Sequence, residues 1–184
     1  MNFEKIEQTY TLLLENVQEI QNNLLTSFYD ALIEQNGSYL DGDIELDSVR
    51  QNNEKLKALK LSKEEWRRAY QFLLMKAAQT EPLQANHQFT PDSIGFILTF
   101  LIDQLSKKEH IDILEIGSGM GNLAETILNN TQKNMDYLGL ELDDLLIDIS
   151  ASIADVMDAK ASFVQGDAVR PQVLKESDVI ISDL

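Results

Sequence analysis

The stretch Ile111-Asp112-Ile113-Leu114-Glu115-Ile116-Gly117-Ser118-Gly119-Met120-Gly121-Asn122 is the point from which the fold can be read. A short run rich in Ile and Leu leads into a loop with glycine at every second position. A helical pattern from Leu123 to Leu128 follows. Such a run suits a strand buried on both faces. Glycines in the loop permit positive φ and leave no Cβ between the backbone and a ligand. The following helix would aim its free N–H groups at whatever lies over the loop. A dinucleotide-binding loop reads G-x-G-x-x-G. Started at Gly117, that pattern needs glycine at position 122, which is Asn122. The glycines fall instead at 117, 119 and 121, with Glu115 two residues before the first.

The chain has 184 residues, enough for one ordinary domain or a small one plus a partial one. It has no cysteine, so there is no disulfide and no thiolate metal site. No apolar run reaches the ~18 residues of a membrane span, and the N-terminus lacks an apolar signal segment. A cytoplasmic location is the expectation, with no membrane partner. The net charge is -16. Residues 91–184 hold 6 basic and 17 acidic groups, so the part with the glycine loop carries most of it, -11. Nucleic-acid binding rests on Lys and Arg neutralising phosphates, and no basic stripe is visible.

Before the loop the chain reads as helical. Ile6, Tyr10, Leu13, Leu14, Val17, Ile20 and Leu24 recur at three- and four-residue steps. A break near Leu25-Thr26-Ser27 precedes a second helical run, which Asn36-Gly37-Ser38 is expected to end. Asp41, Asp43, Glu45 and Asp47 do not form a calcium loop. Its sixth position would be Leu46 rather than glycine, and its twelfth Asn52 rather than glutamate. No metal site is expected. Residues 49–60 are polar with weak helical spacing. Ser62 and Glu65 make a capping box for a helix through Trp66, Tyr70 and Leu74. Trp66, Tyr70 and Phe72 read as packing residues. A helical domain over 1–85 follows, with Glu81 to Gln88 as linker around Pro82. Thr90 then serves as N-cap, and Pro91 as the first residue, of a helix through Ile94, Ile97, Leu101 and Leu105.

After the loop come a second strand, Met135 to Asp143, and a helix, Leu145 to Met157. A short strand, Ala161 to Gln165, and a fourth near Val179 to Ser182 complete the pattern. An acid at the end of the second strand, Glu141, can accept hydrogen bonds from both hydroxyls of a ribose. Alternating strands and helices give an α/β, Rossmann-like domain with a mainly parallel sheet over 86–184. Consecutive crossovers order the four strands 3-2-1-4.

The E-x-G-x-G-x-G form of Glu115 to Gly121 resembles the cofactor loop of class I S-adenosylmethionine (SAM) methyltransferases. The resemblance implies SAM as cofactor, held by Glu115, Gly117, Ser118, Gly119, Gly121 and Asn122, and by Glu141 with Leu142 on the ribose. Asp167, beside Ala168, would take the adenine amino group. Gln88-Phe89-Thr90-Pro91 is similar to the Phe-Thr-Pro segment that precedes the loop in the adenine-specific (N-6 DNA methylase-like) branch, which places Phe89, Thr90 and Pro91 against the cofactor. In that branch the fourth strand ends in Asn or Asp, then Pro-Pro and an aromatic. Asp183 matches the first position, as the catalytic residue that also borders the cofactor, and Leu184 departs from the second.

A complete sheet of this class has about seven strands. The expectation is therefore a truncated, inactive piece of a methyltransferase acting on an amino group of nucleic acid. Self-association through the helical domain or the open sheet edge would accompany it. The alternatives are a non-catalytic SAM-fold binding or regulatory protein, or a methyltransferase for a small molecule or protein.

Overall fold

The computed structural model describes residues 1–83, 89–170 and 176–183. It divides into two compact units, Met1–His87 and Gln88–Leu184.

The first unit is four helices: α1 (Phe3–Leu24), α2 (Phe28–Asp41), α3 (Asp47–Leu59) and α4 (Lys63–Thr80). Ile6, Leu13, Val17 and Ile20 supply the inner stripe of α1, and Leu56, Tyr70 and Leu73 pack in the same unit. The break before α2 is real: Leu25 turns left-handed and Ser27 caps the new helix, accepting from Asp30 N–H at 3.0 Å. The expected stop at Asn36-Gly37-Ser38 is not. Helix α2 runs through it to a left-handed Gly42. Polar side chains that usually end helices are here buried and satisfied. Asn36 accepts from the Tyr70 hydroxyl at 2.8 Å, and Ser38 accepts from Asn53 at 3.1 Å. The Ser62–Glu65 capping box is formed. Trp66 and Tyr70 are buried and stacked, whereas Phe72 is exposed, a correction to its reading as packing. Glu81 is no linker residue. Its carboxylate accepts from Gln21 and from Phe28 N–H, and its carbonyl from the Tyr29 hydroxyl. Gln84 to Gln88 of the expected linker lie outside the described residues.

The second unit is α5 (Asp92–Leu105), β1 (His110–Ile116), α6 (Asn122–Asn130), β2 (Asn134–Glu141), α7 (Asp144–Val156), β3 (Ala161–Gln165) and β4 (Val179–Ser182). The sheet is parallel, in the order β3-β2-β1-β4. Side chains alternate across each strand. Ile111, Ile113, Met135, Tyr137 and Ile181 therefore share one face, packed on Ile102 of α5 and on Leu123, Ala124 and Ile127 of α6. The start of α5 differs from the capping expectation. Pro91 is the N-cap, its carbonyl accepting from Ile94 N–H at 2.9 Å, and no side chain caps the end.

Candidate functional site

The register puts Ile116, Glu141, Gln165 and Ser182 at the C-terminal ends of the four strands, side by side. In the order β3-β2-β1-β4 the direction of winding reverses between β1 and β4. Open α/β sheets bind ligands outside the strand ends at that reversal. Apart from Glu115, which lies within β1, the sequence-derived site residues that are described sit at or just past this end of the sheet or, for Phe89 to Pro91, in the segment tied to it.

The glycine loop is built as its spacing demands. Gly117, Gly119 and Gly121 have φ of +74°, +53° and +83°, which side chains with a Cβ adopt only under strain. The amides of Gly117 and Ser118 both donate to the Leu140 carbonyl, at 2.8 and 3.2 Å, so the loop folds back over the end of β2. Asn122, first residue of α6, donates from Nδ2 to the Thr90 carbonyl at 3.0 Å. That bond draws the Phe89-Thr90-Pro91 segment to the helix start. Phe89 and Thr90 are half-buried, and Pro91 is exposed. Ser118 is buried, and its Oγ has no hydrogen-bond partner among the described residues.

Glu141 is half-buried at the tip of β2. One carboxylate oxygen accepts from Gly119 N–H at 2.9 Å. The other accepts from Leu142 and Asp143 N–H at 2.7 and 3.1 Å. The carboxylate thus ties the glycine loop to the turn that starts α7. A carboxylate offers about four acceptor positions, so about one remains for a ligand hydroxyl. Leu142 itself is exposed. The Glu141 carbonyl accepts from Gly166 N–H at 2.8 Å, which brings the β3 turn alongside. There Asp167 is half-buried and pairs with Arg170 at 3.1 Å, and Ala168 is exposed. Asp183 leaves the end of β4, next to Ser182, whose hydroxyl donates to the Ile116 carbonyl at 3.0 Å. Asp183 is exposed, and Leu184 lies outside the described residues.

Glu115 is placed differently from the others. It is 2 % exposed and points into the helix-covered face, where the Tyr137 hydroxyl donates to its carboxyl at 2.9 Å. Burial pushes its pKa up to about 8. The bond from Tyr137 opposes the rise, and the negative charges of Asp183 and Glu141 add to it. These surroundings favour its protonated form over a charge lining an open crevice. The sequence reading passed over Tyr137. Its signal was available: an inward-facing tyrosine in a buried strand needs a partner for its hydroxyl.

The open rim of the site is acidic, with Glu141, Asp143, Asp167 and Asp183 on it. Such a rim repels a pyrophosphate and attracts a cation. Among the described residues His110, Asp112 and Asp136 also bring ligand atoms within 4.8 Å of one another. They sit at the opposite ends of the strands, with His110 and Asp136 exposed and Asp112 half-buried.

No family model matches the chain. Over its whole length it is 30% identical to YtxK of Bacillus subtilis (strain 168), an uncharacterised protein, of which it covers 59%. It also superposes along its whole length on a crystal structure from Listeria monocytogenes, a proposed class I SAM-dependent methyltransferase. The TM-score is 0.82, with 29% identity and 59% of that chain covered. The fold is that of the Rossmann-like methyltransferases. A type I restriction-modification methyltransferase subunit from Streptococcus thermophilus shares this fold at a TM-score of 0.57 and 14% identity, over 96% of this chain and 43% of its own. The chain spans about six-tenths of the length of the first two of these relatives. Among the described residues no helix is long and apolar enough to cross a membrane.

Proposed function

We propose that the second unit binds SAM at the C-terminal ends of β1, β2 and β3, as part of a methyltransferase that acts on an amino nitrogen, of the adenine type, in nucleic acid. The observation that carries the cofactor reading is the pairing of a glycine loop at positive φ with the Glu141 carboxylate at its side. The loop is bare enough for a close backbone approach, and Glu141 supplies a charged acceptor where a ribose diol would lie. The acidic rim suits a cofactor that carries a sulfonium and an ammonium. It does not suit a dinucleotide.

When bound, SAM supplies an activated methyl group and leaves as S-adenosylhomocysteine. The chain's own residues hold and align. Glu141 accepts from a ribose hydroxyl with its remaining acceptor position; a second bond requires one of its three amide donors to let go. Asp167 accepts from the adenine amino group. Glu115 ties β1 to β2 through the Tyr137 hydroxyl. Asp183 accepts a hydrogen bond from the target amino group, so that the nitrogen lone pair faces the methyl carbon in line. The methyl group that SAM supplies would pass to the nitrogen that Asp183 orients, leaving the C–S electron pair on sulfur. The nitrogen then gives up a proton to solvent. Alignment carries most of the rate enhancement.

The nucleic-acid acceptor rests on Phe89-Thr90-Pro91 and Asp183. It stands against a charge of -11 over residues 91–184, which a basic partner region would have to offset. Titration calorimetry with SAM and S-adenosylhomocysteine tests the cofactor, and absence of heat with both overturns it. Transfer of labelled methyl from SAM to DNA, RNA and protein pools by the full-length protein tests the acceptor. Label confined to protein would refute the nucleic-acid reading while leaving the cofactor reading intact.

A further inference from the structure

Helix α5 is apolar around almost its whole circumference. Gly95, Thr99 and Ile102 form its buried stripe. Gly95 gives α6 its closest approach, since a Cβ there would lie 2.5 Å from the Thr126 methyl. The opposite side carries Ile94, Phe96, Ile97, Phe100, Leu101 and Leu105, all exposed, with Phe100 at 62 % and Leu105 at 76 %. A helix that is hydrophobic all round is normally covered on both sides.

At roughly 180 Å² per large side chain, these six leave on the order of 600 Å² of apolar surface in water. That is the upper end for the largest patch on a monomer, and such patches are often functional. Joining two of them would bury about 1,200 Å² in total, the threshold of a specific interface. One alone falls short of the ~800 Å² that each partner gives to a standard one.

The pattern is self-complementary. Ile94, Ile97, Leu101 and Leu105 follow one another at steps of three, four and four, the spacing of a helix-pairing seam. In an antiparallel pair centred between residues 99 and 100, Ile94 meets the second copy's Leu105 and Ile97 lies by its Leu101. A membrane surface fits less well. Helices that lie on lipid carry Lys and Arg along the polar side, and α5 has neither. We infer that the exposed face of α5 is a homodimer interface in which two α5 helices pack antiparallel about a two-fold axis. It is neither the sheet edge nor the helical unit that the sequence suggested, and it does not depend on the cofactor reading.

Sedimentation equilibrium of the 184-residue chain tests this, with vesicles of neutral lipid as a second arm. The expected result is a reversible rise from the mass of one chain to that of two, between about 1 and 100 µM, with no vesicle binding. Phe100→Glu should weaken association at least tenfold while far-UV circular dichroism stays unchanged. Should Phe100→Glu fail to fold, cysteine pairing decides, because the chain has no cysteine of its own. Mixed Ile97→Cys and Leu101→Cys chains should cross-link 97 to 101 faster than 97 to 97 or 101 to 101. A chain that stays monomeric, a dimer indifferent to Phe100→Glu, dominant like-to-like cross-links, or binding to neutral vesicles would each overturn the inference.

Discussion

The carboxylate of Glu141 accepts a hydrogen bond from the amide of Gly119 at 2.9 Å, across the gap between the β1 and β2 ends. One side chain therefore shapes the loop before any ligand arrives. Hydrogen bonds to a charged group are worth about 1.5–3 kcal/mol. Glu141→Ala is expected to speed amide exchange at Gly119, Leu142 and Asp143, and to weaken S-adenosylhomocysteine binding by on the order of 10- to 100-fold. Unchanged exchange at Gly119 would show that the tie is not formed in solution.

Gly121 and Gly37 should answer an alanine in opposite ways. Gly121 has φ of +83°, and a Cβ there would meet Ser150 at 3.1 Å and Phe163 at 3.2 Å. Gly121→Ala is expected to cost about 1–3 kcal/mol. Gly37 lies inside α2 with nothing within 4 Å of its missing Cβ. Gly37→Ala should stabilise by roughly 0.5–1 kcal/mol. Urea midpoints that move the same way in both would contradict these backbone assignments.

The buried acid makes a prediction about pH. The folded pKa of Glu115 stands at about 8, above the ordinary carboxyl value of 4.5. Between those values the folded chain holds a proton that the unfolded chain releases. The stability from this group is therefore full below about pH 4.5 and is lost as pH rises toward 8. Glu115→Gln keeps the shape and removes the titration. Its stability relative to wild type should rise with pH by at most about 1.4 kcal/mol per unit across that window. A constant difference from pH 5 to pH 8 would show that Glu115 is ionised in the fold.

In the helical unit, Asn53 holds three buried bonds. Its Oδ1 accepts from Asn16 at 3.1 Å and Gln35 at 2.7 Å, and its Nδ2 donates to Ser38 at 3.1 Å. Removing it strands buried polar groups at about 1–3 kcal/mol apiece. Asn53→Ala is expected to cost about 2–4 kcal/mol, read from the fluorescence of Trp66, the single tryptophan.

Elements set by local pattern were legible in the sequence. The Ser62–Glu65 box and β3 at Ala161–Gln165 follow from capping chemistry and spacing that act over a few residues, and the strand order follows from the handedness of consecutive crossovers. The loop glycines are legible for the same reason, because positive φ selects residue type directly. Helix α2 escaped that logic. Whether Asn36 and Ser38 stop a helix depends on Tyr70 and Asn53, more than a dozen residues away, satisfying them. The exposed Phe72 escaped it too, since period alone does not say which apolar side of a helix is covered.

The sequence by itself determined a helical region followed by a parallel α/β unit, with a glycine loop and acids at its strand ends. The reason is that backbone geometry and hydrophobic period are local properties. Only the tertiary structure decided what those acids do. It buried Glu115 against Tyr137 and turned Glu141 onto the amides of Gly119, Leu142 and Asp143. It also left one side of α5 bare. Ionisation, hydrogen-bond partners and cover are set by neighbours in space, and a linear pattern does not specify them.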